Sequence, residues 1–203
     1  VLRWALGDAA PAIERPQKPA PKDRYLTHDE ITKLLDAPAP LHIKTAIYLM
    51  LGTAARVGAV LDLTWDRVDF DREQINLRLS EVGPRKGRAI VPMNEDLRAV
   101  LQTAREAALS DYVIEWAGAP VASIKTGFNA AVEAAGLENV TPHVLRHTAA
   151  VHMVEAGIPI AEVAQYLGHS NPGITFSVYG RYSPTHLRKA ASVLNFSRLR
   201  RAS

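Results

Sequence analysis

Apolar residues recur at three- and four-residue intervals over most of this chain, and at alternate positions only between residues 68 and 92. That pattern predicts a mainly helical protein with one small antiparallel sheet, an α+β chain. Thr27-His28-Asp29-Glu30 has the spacing of a capping box ahead of Ile31, Leu34 and Leu35, so ordered structure is expected to begin at Thr27. A second helix is expected over about Leu41 to Gly52, with Ile43, Ile47 and Leu51 on one face, and a short third from Gly58 to Leu63. Val68-Asp69-Phe70, Gln74 to Leu79 and Arg88 to Pro92 read as three strands, with Gly83 to Gly87 as the tip of the second hairpin. Asn94 is placed to cap a helix running to about Ala108, and Val113 to Trp116 reads as a further strand. Helices follow over about Ser123–Ala135, Pro142–Ala156, Pro159–Leu167, Gly173–Tyr179 and Pro184–Leu194. Pro159 is expected at a first helical position; Gly157 and Gly168 fall just past helix ends, as C-terminal glycines do.

Upstream of Thr27 the pattern disappears. Pro11, Pro16, Pro19 and Pro21 block both helix and sheet, so residues 1–24 read as an extended linker. With no initiator Met, the chain reads as a fragment whose upstream domain, expected to be DNA-binding, is missing; residues 25–197 form the folded unit and 198–203 a basic tail. At 203 residues the chain is long enough for a substantial core. It has no cysteine, hence no disulfide framework or thiolate metal site, and no apolar run of membrane-spanning length. A net charge of +3 carries little information, but its distribution does. Residues 163–203 hold 6 basic and no acidic side chains, while residues 1–162 hold 18 basic against 21 acidic. The C-terminal part is therefore the one suited to face phosphate.

Within and before that basic region lie the residues that carry chemistry. His143-Val144-Leu145-Arg146-His147 is followed by Leu167-Gly168-His169 and then Tyr179, and Arg56 sits far upstream in Gly52-Thr53-Ala54-Ala55-Arg56-Val57-Gly58. Two arginines, two histidines and a tyrosine, without a cluster of metal-binding carboxylates, suit holding a phosphodiester by its oxygens and attacking it with a phenol. His143 and His147 are i, i+4, but no third metal ligand has useful spacing, so no metal or other cofactor is expected.

These boxes, in this order and about ninety residues apart, resemble the tyrosine recombinases of the phage integrase family over roughly Tyr25 to Asn195. The resemblance implies that family's catalytic-domain fold and a site-specific recombinase that joins DNA strands through a 3′-phosphotyrosyl intermediate, without metal or ATP. It implies Tyr179 as nucleophile, Arg56 and Arg146 on the non-bridging oxygens, His143 as general acid–base, and His169 as a hydrogen-bond donor to the phosphate. Lys86 would protonate the 5′-oxygen, although in this short hairpin Arg85 or Arg88 are rivals for that place. His147 reads as structural. Where the family carries Asp or Glu three residues after the first arginine, this chain has Ala59; Asp62 is either a substitute or an ordinary surface residue. Double-stranded DNA is the implied partner, in a homo-tetramer on paired sites joined through the C-terminal helix with its apolar Leu187, Val193, Leu194 and Phe196. A prokaryotic cytoplasmic, nucleoid-associated setting follows, with a prophage or mobile element as source. Two other readings stay open: a non-catalytic helix-turn-helix regulator built on Ile160 to Gly168 and Ile174 to Tyr179, and a type IB topoisomerase-like nicking and closing enzyme.

Overall fold

A helix with apolar residues on nearly every side lies at the centre of the fold. In the computed structural model, which describes residues 24–78, 89–183 and 188–193, helix α2 (Leu41–Thr53) buries Ile43, Thr45, Ala46, Ile47, Leu49, Met50 and Thr53. These residues surround the helix, and Leu51 is only half-buried, so the single apolar face expected from Ile43, Ile47 and Leu51 is too narrow a description. A helix apolar on every side belongs inside a domain. The two threonines fit there because each hydroxyl returns to a carbonyl one turn back, Thr45 to Leu41 at 2.9 Å and Thr53 to Leu49 at 2.5 Å.

Around α2 pack helices α1 (His28–Asp36), α3 (Val57–Leu61), α4 (Glu95–Glu106), α5 (Lys125–Ala134) and α6 (Pro142–Glu155). A three-stranded antiparallel meander, β1 (Val68–Asp69), β2 (Gln74–Asn76) and β3 (Ile90–Pro92), contributes Val68, Ile75 and Val91 to the same core, with Val68 opposite Ile75 and Ile75 opposite Val91. All three strands are shorter than the sequence pattern predicts. The predicted hairpin tip, with Lys86, lies outside the described residues.

A second sheet differs from expectation. Only Glu115 and Trp116 of the predicted fourth strand pair, forming β4 against β5 (Ala119–Pro120), while Val113 and Ile114 are buried without joining the ladder. Ala117 (φ 52°) and Gly118 (φ 80°) both take the left-handed conformation, the geometry of a two-residue hairpin turn. Alanine is an uncommon residue at such a φ, which is why this turn leaves little trace in the sequence.

The capping signals are realised. Thr27 Oγ1 accepts from the Glu30 amide at 3.3 Å and Glu30 Oε2 accepts from the Thr27 amide at 3.0 Å; Asn94 Oδ1 accepts from Leu97 at 2.9 Å at the start of α4. Glu30 also takes two hydrogen bonds from the Arg24 guanidinium, at 2.7 and 2.9 Å. These donors hold the Glu30 carboxyl down at about 2, against 4.5 ordinarily. A carboxylate depressed on folding stabilises the fold above its unfolded pKa, and the benefit disappears as pH falls from about 4.5 toward 2. Glu30→Gln is therefore expected to lower stability at pH 7 by about 1 kcal/mol, the deficit vanishing near pH 2. Urea unfolding of both proteins across that range checks it, and a deficit that persists unchanged at low pH would contradict it.

Helix α6 separates the main core from a smaller one. Its first turn is capped by Thr141 Oγ1, which accepts from Val144 at 3.3 Å, with Pro142 at the first position. Beyond it, helices α7 (Ile160–Tyr166) and α8 (Pro172–Tyr179) close a cluster of Ala54, Ala150, Val151, Val154, Val163, Leu167 and Tyr179. Pro159 precedes α7 as its N-cap instead of occupying the first turn. Gly157 (φ 86°) and Gly168 (φ 67°) turn the chain out of α6 and α7 in the left-handed conformation predicted for them. Helix α9 (Arg188–Val193) covers part of the last predicted helix. The side chain of Val193 and residues Leu187, Leu194 and Phe196 of the predicted stripe lie outside the described residues, as do residues 1–23 and the basic tail. No helix among the described residues is long and apolar enough to cross a membrane.

Candidate active site

Three chain corners meet beside α6. The first is the end of α2, where Ala54 adopts the left-handed conformation (φ 50°). A non-glycine residue there is strained, and the smallness of alanine limits the cost. The turn aims the Ala54 carbonyl at α6 and leaves Arg56, extended and exposed, as the N-cap of α3. Tyr166 secures the same corner from α7, its hydroxyl donating to the Gly52 carbonyl at 2.6 Å. The second corner is Leu167-Gly168-His169, between α7 and α8. The third is the end of α8, at Tyr179, where the chain enters a 3-10 turn over Gly180–Tyr182.

Arg146 joins these corners. It is 4% exposed, and its guanidinium donates to Ala54 O at 2.5 Å and to Leu167 O at 2.9 Å, with His169 Nε2 3.1 Å from Nη2. Burial, then the charge of Arg56, lowers its pKa to about 10, with Tyr179 opposing the shift, so the guanidinium remains charged at neutral pH. His169 Nδ1 lies 2.8 Å from the hydroxyl of Thr175, a fully buried residue of α8. Burial, Arg146 and Arg56 together lower the His169 pKa.

Tyr179 is 6% exposed, with its ring against His147 (centroids 5.2 Å apart, planes at 36°). His147 in turn meets Tyr182 and Tyr25 edge-on at 6.2 and 6.5 Å, a packing role like the structural one expected of it. Burial pushes the Tyr179 phenol above its ordinary 10, Arg146 pulls it back in part, and Tyr182 adds to the rise. At rest the phenol is therefore protonated. His143, exposed in the first turn of α6, lines the same cleft.

The cleft has a volume of about 680 Å³. Its described lining includes four arginines (Arg24, Arg56, Arg146 and Arg181), three histidines (His143, His147 and His169) and Tyr179, and no carboxylate. Such a lining attracts an anion and leaves a divalent cation without hard oxygen ligands of the acidic kind. Five of the six residues singled out from sequence thus share one cleft. The sixth, Lys86, lies outside the described residues. Ala59 is 3% exposed in the main core, and Asp62, half-buried at the C-cap of α3, presents its backbone carbonyl to Arg67. Sequence reasoning passed over Thr175; its one signal is a position four residues before Tyr179 on the same helix face.

Residues 24–186 match the family model described as the phage integrase family. The chain is 30% identical over 195 residues to the tyrosine recombinase XerA of Thermococcus kodakarensis, covering 91% of this chain and 67% of that protein. The crystal structure of a XerA recombinase superposes with a TM-score of 0.69 at 26% identity, covering 85% of this chain and 65% of the other, so the chain spans about two thirds of these relatives. The catalytic domain of bacteriophage HP1 integrase shares the fold at 24% identity (TM-score 0.61), covering 85% of this chain and 95% of that domain. With the predicted mixed helical fold, the arginine–histidine–tyrosine cleft and a family match across most of its length, the chain belongs to the phage integrase family.

Proposed function

We propose that this chain is the catalytic domain of a site-specific recombinase that breaks and rejoins DNA strands through a 3′-phosphotyrosyl intermediate. The observation that carries the reading is the convergence of Arg56, Arg146, His143, His169 and Tyr179 on one cleft, with no carboxylate among the described residues that line it. The Tyr179 oxygen attacks the scissile phosphorus and its proton passes to His143. Arg56, Arg146 and His169 stabilise the charge that develops on the non-bridging oxygens. The 5′-oxygen leaves with a proton from Lys86. Each cut conserves the phosphodiester as an ester of tyrosine, so a 5′-hydroxyl from a second strand reverses it without ATP.

Residues 25–197 are the catalytic unit in this reading, and residues 1–24 the linker to an upstream DNA-clamping domain. Double-stranded DNA is the partner, in the nucleoid of a prokaryotic cytoplasm. The test is a panel of nicked duplexes bearing candidate sites, incubated with the parent protein and resolved on a denaturing gel. A label on the 5′ end of the cleaved strand is expected to travel with the protein and a label on the 3′ end to be released. The reverse pattern, or no adduct on any site the parent protein binds, rejects the reading.

Exchange between two duplexes needs four cuts, hence four protomers. The segment beyond Ser183 is the proposed connector, and its removal is expected to lower tetramer yield on paired sites about tenfold while leaving single-site cleavage detectable. Tetramers of undiminished yield on native gels would reject that assignment.

A further inference from the structure

Arginine has donors only, so the 3.1 Å contact between Arg146 Nη2 and His169 Nε2 requires a lone pair on Nε2. A neutral imidazole with a bare Nε2 carries its proton on Nδ1. At 2.8 Å from Nδ1 the buried Thr175 oxygen is then the acceptor of that N–H. We infer that Thr175 is a positioning residue that fixes His169 as the Nδ1–H tautomer, so that in the phosphate-free cleft His169 holds Arg146 instead of presenting a donor.

The surroundings agree. An imidazolium in this place would set an Nε2–H against an arginine N–H. The charges facing His169 are Arg146 from α6 and Arg56 from the α2–α3 corner, and no carboxylate is among the described residues lining the cleft. Burial and both arginines act in the same direction on its pKa, downward.

The consequence rests on the proposed function. For His169 to donate to a scissile phosphate, Arg146 Nη2 must turn from Nε2 to a phosphate oxygen, and Nε2 must gain a proton, either by net uptake or by exchange for the one on Nδ1, in which case the Thr175 hydroxyl donates to Nδ1. Phosphate binding is thereby coupled to a change in which nitrogens of His169 carry protons. Thr175 stands one helical turn before Tyr179 on α8, so the helix that carries the phenol also sets the state of the histidine.

The test is nitrogen-15 NMR of histidine-labelled full-length chain without DNA, at neutral pH, with His169 assigned by its loss in His169→Gln. The expected signature is one protonated Nδ1 and one unprotonated Nε2. Thr175→Val, which removes the acceptor at constant shape, is expected to erase that preference, and Thr175→Ser to restore it. An Nε2–H tautomer or an imidazolium in the unmodified protein overturns the inference, as does a Val variant with the tautomer unchanged. In the strand-cleavage assay Val is expected to slow adduct formation about tenfold and to shift its pH profile, with Ser within about twofold of the parent. If the tautomer behaves as expected but no adduct forms in any variant, the positioning role stands and the recombinase reading fails.

Discussion

Tyr179→Phe is expected to abolish the covalent protein–DNA adduct, a loss of at least about a thousandfold, while the protein stays folded. The separation between chemistry and fold follows from where the ring sits. Tyr179 is 6% exposed in the smaller core and packed against His147, so the aromatic ring contributes to stability and a phenylalanine retains it. Only the hydroxyl is lost, and stability is expected to change by less than about 1 kcal/mol. The rival nucleophile is Tyr182, three residues on. Its hydroxyl is held by Arg181 at 3.2 Å, with that guanidinium over its ring at 5.0 Å. Tyr182→Phe should accordingly keep the adduct. A denaturing gel and a melting curve for each variant decide the matter: an adduct that survives Tyr179→Phe and disappears in Tyr182→Phe would reassign the nucleophile. Because burial raises the Tyr179 pKa above 10, the phenol stays almost wholly protonated between pH 6 and 9. Reaction through free phenolate would quicken about tenfold per pH unit across that window, so a shallower rise is the expected sign that the proton is removed during attack.

Local signals survived into the fold where the interaction itself is local. Thr27 with Glu30, Asn94, and the glycines at 157 and 168 each satisfy or terminate a helix within a few residues, and all are legible as motifs. What was misread depends on distant partners or on unusual backbone. The left-handed alanines, Ala54 and Ala117, sit where sequence rules expect glycine or asparagine, so one hid a site-forming turn and the other a hairpin. The face of α2 was drawn too narrow because five other helices, α1, α3, α4, α5 and α6, pack around it, which periodicity within the helix does not record.

The site divides the same way. Residue types and chain order were enough to single out Arg56, His143, Arg146, His169 and Tyr179, which then meet in one cleft. They were not enough to reveal that the two arginines live in opposite surroundings, one exposed and one buried, nor that His169 is held between Arg146 and Thr175. The helix-turn-helix reading drew on α7 and α8, which do pack together. The buried Tyr179 at the end of α8 and the arginines facing it have no part in that reading.

Arg146→Lys is expected to cost both stability and activity, whereas Arg56→Ala should cost activity alone. Arg146 donates to the carbonyls of Ala54 and Leu167, which belong to the ends of two different helices, while its planar fork also faces His169 Nε2. A lysine ammonium is a single point at the end of a flexible stem and does not span three acceptors presented by two separate corners of the chain. At least one buried carbonyl then lacks its donor, at about 1–3 kcal/mol. Arg146→Ala removes both donors and leaves a cavity, so a loss of about 3–5 kcal/mol is expected. Arg56 is exposed at a helix N-cap without a side-chain capping bond, and its truncation should change stability by less than about 1 kcal/mol. In the proposed reaction both arginines stabilise the same phosphate oxygens, so each alanine variant should slow adduct formation at least about a hundredfold. Chemical denaturation beside the cleavage assay separates the two roles. If Arg56→Ala unfolds as readily as Arg146→Ala, the corner at Ala54 depends on both guanidiniums. If Arg146→Lys melts like the parent, the buried fork is not what joins α2 to α7, and the architecture argued for the cleft fails at its centre.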